Sequence, residues 1–233
     1  MALIEDSNLN RNDFVIKISS SPVFCFENET LIKACEKVIS GYRRLPIVNK
    51  DSLVTGIITT NDLVKAFLYN VDFEKEKIEN IMKRDVITLF ENDNIDFLLK
   101  LFKFSKRGGF PIIGENYKLK AVVSERDFIK FFENVNFYKK VYEVMSKKPL
   151  VVKNNFNLID CAKSFSFSGY RRFPVVNENN EIIGIVTSND LIRHVYENKF
   201  SKNCLYDSVE KFCVKNIVTI DKNADLSEFI KIT

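Results

Sequence analysis

The segment Gly41-Tyr-Arg-Arg-Leu-Pro-Ile-Val-Asn49, followed by Gly56-Ile-Ile-Thr-Thr-Asn-Asp-Leu63, decides the fold of this chain because it occurs more than once. It returns 128 residues later as Gly169-Tyr-Arg-Arg-Phe-Pro-Val-Val-Asn177 and Gly184-Ile-Val-Thr-Ser-Asn-Asp-Leu191. Half-way between lies a weaker copy, Gly109-Phe-Pro-Ile-Ile113 with Ala121-Val-Val-Ser-Glu-Arg-Asp-Phe128. Self-similarity at a fixed period, here about 64 residues, indicates an array of one structural unit.

The composition is that of a soluble globular protein. Of the 233 residues, 45% are hydrophobic and 28% charged, and the 35 basic residues nearly balance the 31 acidic ones, which disfavours a dedicated nucleic-acid binder. No apolar run reaches the ~18 residues of a membrane span, and the N-terminus has no secretion signal. The five cysteines show no Cys-x-x-Cys spacing, so we predict buried free thiols in a reducing cytoplasm.

Each unit shows the same order of predicted elements. A short β-branched strand is followed by a capped helix, then a hairpin of Pro-Ile-Val and Gly-Ile-Ile-Thr type, then a closing helix such as 62–70. The predicted leading strands are 23–26, 86–89, 150–152 and 217–220, and the helices after them are 28–40, 92–105, 155–168 and 223 onward. The predicted fold class is therefore α/β, with each unit a small three-stranded sheet packed with two helices. One face of such a sheet needs a neighbour to cover it.

This order divides the chain into a lead-in, 1–13, three complete units, 14–72, 73–135 and 136–199, and a partial fourth unit, 200–233. The fourth unit contains a leading strand and a first helix, but no hairpin before Thr233. We expect either a shortened chain or a natural protein longer by about 40 residues, given the repeat length.

These motifs resemble the cystathionine-β-synthase (CBS) domain, which occurs as tandem pairs called Bateman modules. The resemblance rests on Gly-Tyr-Arg-Arg-Leu/Phe-Pro in the first and third units and on Gly-Gly-Phe-Pro with Ser-Glu-Arg-Asp in the second. Met82 and Met145 match the linker methionine that precedes the leading strand. The pattern is similar to that of archaeal four-CBS proteins that resemble the γ subunit of AMP-activated protein kinase. It implies that unit one pairs with unit two and unit three with unit four, and that the two modules form a flat disc.

A hydroxyl and a carboxylate three residues apart recur where the last strand of each unit meets its closing helix. The unpaired N–H groups of a helix N-terminus suit a phosphate, which a Ser or Thr hydroxyl can also bind, and a carboxylate can accept both hydroxyls of a ribose. The predicted ribose-binding residues are Asp62, Asp127 and Asp190. The predicted phosphate-binding residues at these turns are Thr59, Thr60, Ser124, Arg126, Thr187 and Ser188. The same pattern is also a plain helix cap, and that alternative stays open.

Two arginine pairs form the second predicted constellation, Arg43 with Arg44 and Arg171 with Arg172. Arginine binds phosphate oxygens in bidentate fashion, and the resemblance implies that each pair reaches the phosphates of a neighbouring site. A solvated basic turn is the alternative. The second unit has Gly108-Gly109 in place of the arginines and Ala121 in place of a glycine, which puts the sites around it in doubt.

The resemblance also implies that an adenine inserts between strands, where the leading strand and the residues at the x-Pro position contact it. By position these residues are Val23 with Leu45 and Pro46, Val86 with Phe110 and Pro111, and Leu150 with Phe173 and Pro174.

Catalytic signatures are missing from the sequence: it has no nucleophile elbow, no Walker loop and no metal-ligand spacing. His194, the only histidine, is expected to be an ordinary helix residue. The predicted function is a non-enzymatic adenine-nucleotide sensor that needs no cofactor and binds AMP, ADP or ATP between paired units. The alternatives are an S-adenosylmethionine or methylthioadenosine module, and a nucleic-acid-binding or scaffold protein with vestigial sites. We further predict a homodimer that covers the third unit, and a protein partner that the ligand regulates.

Overall fold

The computed structural model describes residues 9–132 and 135–232 of the protein. Residues 1–8 of the lead-in, residues 133–134 of the second unit and Thr233 lie outside the described residues. Within the described residues, the chain folds as three units of the same topology.

Each unit contains a three-stranded sheet in which the first strand runs parallel to the second and the second runs antiparallel to the third. The strands are β1 (Cys25–Phe26), β2 (Arg44–Val48), β3 (Val54–Thr59), β4 (Leu89–Phe90), β5 (Gly109–Ile113), β6 (Leu119–Ser124), β7 (Val152–Lys153), β8 (Arg172–Val176) and β9 (Ile182–Thr187). The predicted α/β fold class is thus confirmed.

The helices begin close to the predicted polar caps. They are α1 (Leu31–Ile39), α2 (Thr60–Leu68), α3 (Ile78–Ile81), α4 (Ile95–Ser105), α5 (Glu125–Ile129), α6 (Val141–Val144), α7 (Leu158–Ser168), α8 (Ser188–Glu197) and α9 (Leu226–Lys231). Asn94 and Asn157 accept hydrogen bonds from the backbone N–H groups of Phe97 and Asp160, which fixes where α4 and α7 begin. None of the described helices has the length and apolarity that crossing a membrane requires.

The leading strands are shorter than predicted, and the fourth one does not form. Each of the first three units has a two-residue leading strand, held only by its parallel partner in the hairpin. Residues 217–220 have no such partner and adopt no strand, so the prediction of a strand there was wrong. The helix predicted after it does form, as α9.

The helices of the first and third units pack together into one apolar core. Helix α1 contacts α8, and α2 contacts both α7 and α8, so the two units share a continuous cluster of buried side chains. The second unit has a core of its own, which also takes up Leu9, Val15 and Ile18 from the start of the chain. In return, Ile78 and Met82, which lie after the first unit in sequence, are buried in the core of that unit.

The segments between units therefore cross from one unit to the other. Ser20 pairs with Val122 of β6, Lys83 pairs with Ile57 of β3, and the backbone of Ser52 accepts a bond from Leu119. These crossings hold the first two units together through backbone hydrogen bonds. The partial fourth unit repeats part of this arrangement, since Val214 pairs with Ile185 of β9, and its helix α9 contacts the 3-10 turn Lys130–Phe132 of the second unit.

Candidate functional site

Two cavities lie between the first and second units. The larger, of about 650 Å³, is called the first cleft and is lined by Thr59–Asn61 of unit one and by Lys83–Ile87 and Gly109–Pro111 of unit two. The smaller, of about 320 Å³, is called the second cleft and is lined by Ser20, Ser21 and Val23 of unit one and by Ser124–Asp127 of unit two. Each cleft thus combines the strand-to-helix turn of one unit with the leading segment of the other.

This exchange decides which predicted residues meet. Val86, Phe110 and Pro111 face the turn of the first unit, and Val23 faces the turn of the second. Leu45 is fully buried in the shared core and Pro46 is also buried. A grouping of adenine-pocket residues unit by unit therefore does not describe the clefts, whose walls come from two units.

The third unit presents only half of such a cleft. Leu150 of its leading segment is 55% exposed, whereas Val23 and Val86 in the corresponding positions are partly covered by the opposite unit. Phe173 remains buried in the core of the third unit, and Pro174 is half-buried. In the described residues no hairpin of a fourth unit faces this surface.

All three Ser/Thr-x-x-Asp turns form helix caps. Thr59 donates to Asp62 Oδ2 from its backbone N at 2.9 Å and from its hydroxyl at 2.6 Å. Ser124 and Thr187 make the same two bonds to their own aspartates, at distances between 2.6 and 2.9 Å. The three turns therefore do act as helix caps. Each cap uses only Oδ2 of its carboxylate, and Oδ1 contacts a partner that differs from turn to turn. The three partners of Oδ1 are Lys83 on Asp62, Ser20 on Asp127 and Arg193 on Asp190.

Thr60 and Ser188, the first residues of α2 and α8, are almost completely buried. The hydroxyl of Thr60 donates to Asn189 Oδ1 at 2.9 Å, across the contact between the first and third units. Thr60 also lines the first cleft, so it connects the cleft to the helix interface. Its neighbour Asn61 lines the cleft too, and among the described residues its buried Oδ1 has no hydrogen-bond donor.

Arginines of two units converge between the clefts. Arg43, Arg44 and Arg171 line both cavities, although Arg171 belongs to the third unit. Burial, followed by the charge of Arg171, lowers the pKa of Arg44 to about 10. Burial also lowers the pKa of Arg43, with smaller contributions from Arg172 and Arg171. These shifts report positive charges that are partly desolvated and repel one another, which is the environment that an anion would relieve.

The Gly108-Gly109 pair has a steric role beside these arginines. A Cβ atom on Gly108 would lie 2.4 Å from Glu125 Oε2 and 3.0 Å from Arg44 Nη2. Arg44 Nη1 donates to the carbonyl oxygen of Gly108 at 3.0 Å. A side chain at this position would therefore meet Glu125 of the second unit first, and then Arg44 of the first unit. Ala121 is buried in the core of the second unit rather than in the lining of either cleft.

The remaining basic residues divide between the clefts. Lys106, Arg107 and Arg84 line the first cleft, and Arg126 with Lys130 lines the second. Arg107 is held by Asp85 at 2.7 Å.

Lys83 and Ser20 were not predicted as site residues. Both lie in the segments that cross between units, and Lys83 directly follows the linker methionine Met82. The position after the linker methionine was the available signal, but its side chain meets Asp62 only because the crossing strand pairs with Ile57.

A metal-ligand cluster is absent from the described residues, and His194 does not line either cleft. Residues 9–132 and 135–232 contain no group of three His, Cys, Asp or Glu side chains that could hold a metal ion. His194 is bound to Asp207 at 2.9 Å and joins α8 to the segment after it.

Comparison with known proteins assigns the repeated unit. The model of the CBS domain matches residues 13–69, 78–134 and 141–197, which together make up most of the chain. The chain belongs to the CBS-domain family. Proteins built from CBS domains are typically regulatory rather than catalytic.

Several relatives come from archaea. An uncharacterised protein of Methanocaldococcus jannaschii, MJ1225, is 33% identical over 168 residues, which are 65% of this chain and 60% of that protein. The crystal structure of MJ1225, described as a proposed archaeal homologue of γ-AMPK, superposes with a TM-score of 0.84 at 26% identity, covering 94% of this chain and 88% of the other. An uncharacterised protein of Pyrococcus horikoshii shares the fold, with a TM-score of 0.60 at 18% identity over 94% and 86% of the two chains.

Proposed function

We propose that this CBS protein is a non-enzymatic regulatory protein that binds an adenine nucleotide, AMP, ADP or ATP, in the first cleft and a second one in the smaller cleft. The observation that supports this most is the convergence of Arg43, Arg44 and Arg171 on both cavities. Asp127 lines the second cleft, and Asp62 lies directly behind the first, bonded to the lining residues Thr59 and Lys83. A cavity of about 650 Å³ lies within the range of small-molecule sites. Its wall of Val86, Phe110 and Pro111 offers an apolar surface for a base.

The proposed binding mode places each part of a nucleotide against a matching group. The base lies against Val86 and Phe110, the ribose hydroxyls are accepted by Asp62, and the phosphates are bound by the arginines and by the N-terminus of α2. The arginines favour phosphorylated adenosines over S-adenosylmethionine or methylthioadenosine, because those ligands would leave the buried positive charge uncompensated.

The regulatory step that we propose follows from the origin of Arg171 in the third unit. Each added phosphate neutralises more of the repulsion between Arg171 and the arginine pair of the first unit. A ligand shifts a conformational equilibrium only by its difference in affinity for the two states. Nucleotides of different charge would therefore bias the packing of α1 and α2 against α7 and α8, which a protein partner would read.

The test is a set of calorimetric titrations of the purified chain with AMP, ADP, ATP, adenosine and S-adenosylmethionine. We expect micromolar binding of the phosphorylated ligands, and a loss of about 10- to 100-fold in first-cleft affinity for Asp62→Ala, from the loss of charge-assisted hydrogen bonds. Asp160→Ala is the matched control, because Asp160 also completes a capping box, with Asn157, but lies on α7 away from the clefts. Both variants lose a capping bond worth about 1 kcal/mol of stability, and Asp62→Ala also loses the ion pair with Lys83, so stability is measured beside binding.

The competing functions predict other results. Binding of S-adenosylmethionine alone, without competition by phosphate, would replace the nucleotide by an adenosine ligand that carries no phosphate. Absence of any binding, together with DNA or RNA affinity that falls steeply with salt, would favour the scaffold alternative.

We also propose that a second chain covers the third unit. Leu150, Val151 and Val218 are 55%, 41% and 75% exposed and leave an apolar surface beside the half cleft. Surfaces of this kind usually mark an interaction site. Sedimentation velocity checks this: a dimer is expected, and a monomer across micromolar concentrations would contradict it.

A further inference from the structure

The residue that crosses from the neighbouring segment differs at each ribose-type aspartate. In the first cleft it is Lys83, whose Nζ lies 2.7 Å from Asp62 Oδ1. In the second it is Ser20, whose hydroxyl donates to Asp127 Oδ1 at 2.9 Å. In the third unit the crossing residue is Val214, which has no polar side chain, and Arg193 of the same helix approaches Asp190 at 3.6 Å instead. The three turns make the same capping bonds to Oδ2, so the residue that contacts Oδ1 is what distinguishes the three carboxylates.

Lys83 competes directly with a ribose. Asp62 Oδ2 already accepts two bonds from Thr59, and Oδ1, the oxygen left for a ligand, is engaged by the ammonium group. The side chain of Asp62 is 7% exposed and that of Lys83 is 59% exposed. The carboxylate is therefore held in place, whereas the ammonium is the partner that can leave. A ribose diol gains Asp62 only if the Lys83–Asp62 pair breaks.

We infer that Lys83 is a specificity-determining residue of the first cleft. Its pair with Asp62 adds a free-energy cost to the binding of any adenosine, and Lys83 compensates that cost only when the ligand carries a phosphate. This inference rests on the proposed nucleotide-binding function. Lys83 lines the same cavity as Arg43, Arg44 and Thr59, and lysine has a four-carbon stem with a point charge that binds phosphate. When the ribose displaces it, the ammonium exchanges the carboxylate for the phosphate of the same ligand. An unphosphorylated adenosine breaks the Lys83–Asp62 pair and provides no anionic partner for the ammonium group.

The second cleft has no charged residue that competes with the ribose for its aspartate, because Ser20 is uncharged. A serine hydroxyl can donate to a carboxylate and also accept from a ribose hydroxyl, so it does not need to leave. The chain therefore supplies its own matched substitution: Lys83→Ser places the residue of the second cleft in the first.

The experiment measures the ratio of the Kd for adenosine to the Kd for AMP in the first cleft, by calorimetry in an Asp127→Ala background that disables the second. In Lys83→Ser we expect adenosine to bind several-fold more tightly, AMP about tenfold more weakly, and the ratio to fall by more than tenfold, the effect of losing one charge-assisted contact. Lys83→Arg keeps the charge and is expected to keep the ratio. The pairing of residue 83 with Ile57 uses only backbone atoms, so serine or arginine at position 83 can form it as lysine does. Thermal melting checks that each variant is folded.

A second arm tests whether Lys83 acts through Asp62. The gain in adenosine affinity of Lys83→Ser is expected to vanish when Asp62→Ala is also present, because no carboxylate is left to be released. An unchanged ratio in Lys83→Ser, or a weaker AMP affinity with no gain for adenosine, overturns the inference and leaves the proposed function standing. If the unaltered chain binds neither AMP nor ATP, the proposed function and this inference fall together.

Discussion

Arg44→Met is expected to stabilise the ligand-free protein and to weaken its binding of phosphorylated ligands at the same time. Arg44 is half-buried among other arginines, and its pKa falls from 12.5 to about 10. One pKa unit corresponds to about 1.4 kcal/mol, so holding the charged form in this place costs roughly 3 kcal/mol. At neutral pH the residue is protonated in the folded and the unfolded chain alike, so the whole cost is present there. It would be lost only as the pH rises through about 10.

The substitution also removes favourable contacts. The charge-assisted bond from Arg44 to the Gly108 carbonyl is worth about 1.5–3 kcal/mol, and that carbonyl keeps a second donor in the backbone N–H of Glu125. The net expectation is a gain of up to about 1.5 kcal/mol in the free energy of unfolding, which is a rise of up to roughly 4 °C in the Tm for a chain of this size. The affinity for AMP or ATP is expected to fall about 10- to 100-fold, because a buried charge-assisted contact is lost.

The assay combines urea unfolding without ligand, at pH 7, with calorimetric titration of AMP. Arg11→Met is the control, since Arg11 forms an exposed pair with Asp96 away from the clefts and should change stability and affinity little. If Arg44→Met lowers the free energy of unfolding, electrostatic repulsion among the arginines does not destabilise the ligand-free protein. If it leaves AMP affinity unchanged, the cluster is not the phosphate site. Either result would refute the reasoning.

Three further predictions concern the fold. Gly41→Ala should lower the free energy of unfolding by about 1–2 kcal/mol, measured in urea, because φ is +108° there although no atom would crowd the new Cβ; an unchanged midpoint would contradict this. Asn189→Ala removes one bond to Thr60 and one to the Val38 carbonyl, so we expect a loss of about 1–3 kcal/mol and a lower Tm; a loss no larger than that of a surface substitution would argue against a polar link between the first and third units. Native-state alkylation at pH 8 should label Cys213 first. Burial raises the pKa of all five thiols, but the other four are covered more completely than Cys213. Modification of any of those four before Cys213 in the folded protein would contradict the described core.

Local sequence patterns determined the units and most of their elements. Leu31, Ala34, Cys35 and Val38 of α1 follow the i, i+3, i+4, i+7 spacing that is typical of one apolar helix face, and all four side chains are fully buried. The hairpins and the Asn caps were equally local, because turn chemistry and side-chain periodicity act over a few residues. The fourth leading strand was predicted by the same reasoning and does not form, because a two-residue strand depends on a partner elsewhere in the chain.

Local sequence patterns could not predict which residues meet in the clefts. The repeated motifs named Asp62, the arginine pairs and the apolar wall. Arg43, Arg44, Arg171 and the apolar wall do line the cavities, but their grouping was set by segments that cross between units. Val86 meets the turn of the first unit rather than that of its own, and Arg171 reaches a cleft formed by the other two units.

What the sequence determined by itself is thus the repeated CBS unit, its α/β order and the chemical types of residue at each turn, because these follow from short-range propensity and from a motif present in three copies. What only the tertiary structure decided is which unit supplies each wall, that Arg44 of the first unit bonds to the Gly108 carbonyl of the second, and that Lys83 pairs with Asp62. Those contacts join residues far apart in the chain. Their partners are chosen by the packing of whole sheets and helices, which no local pattern records.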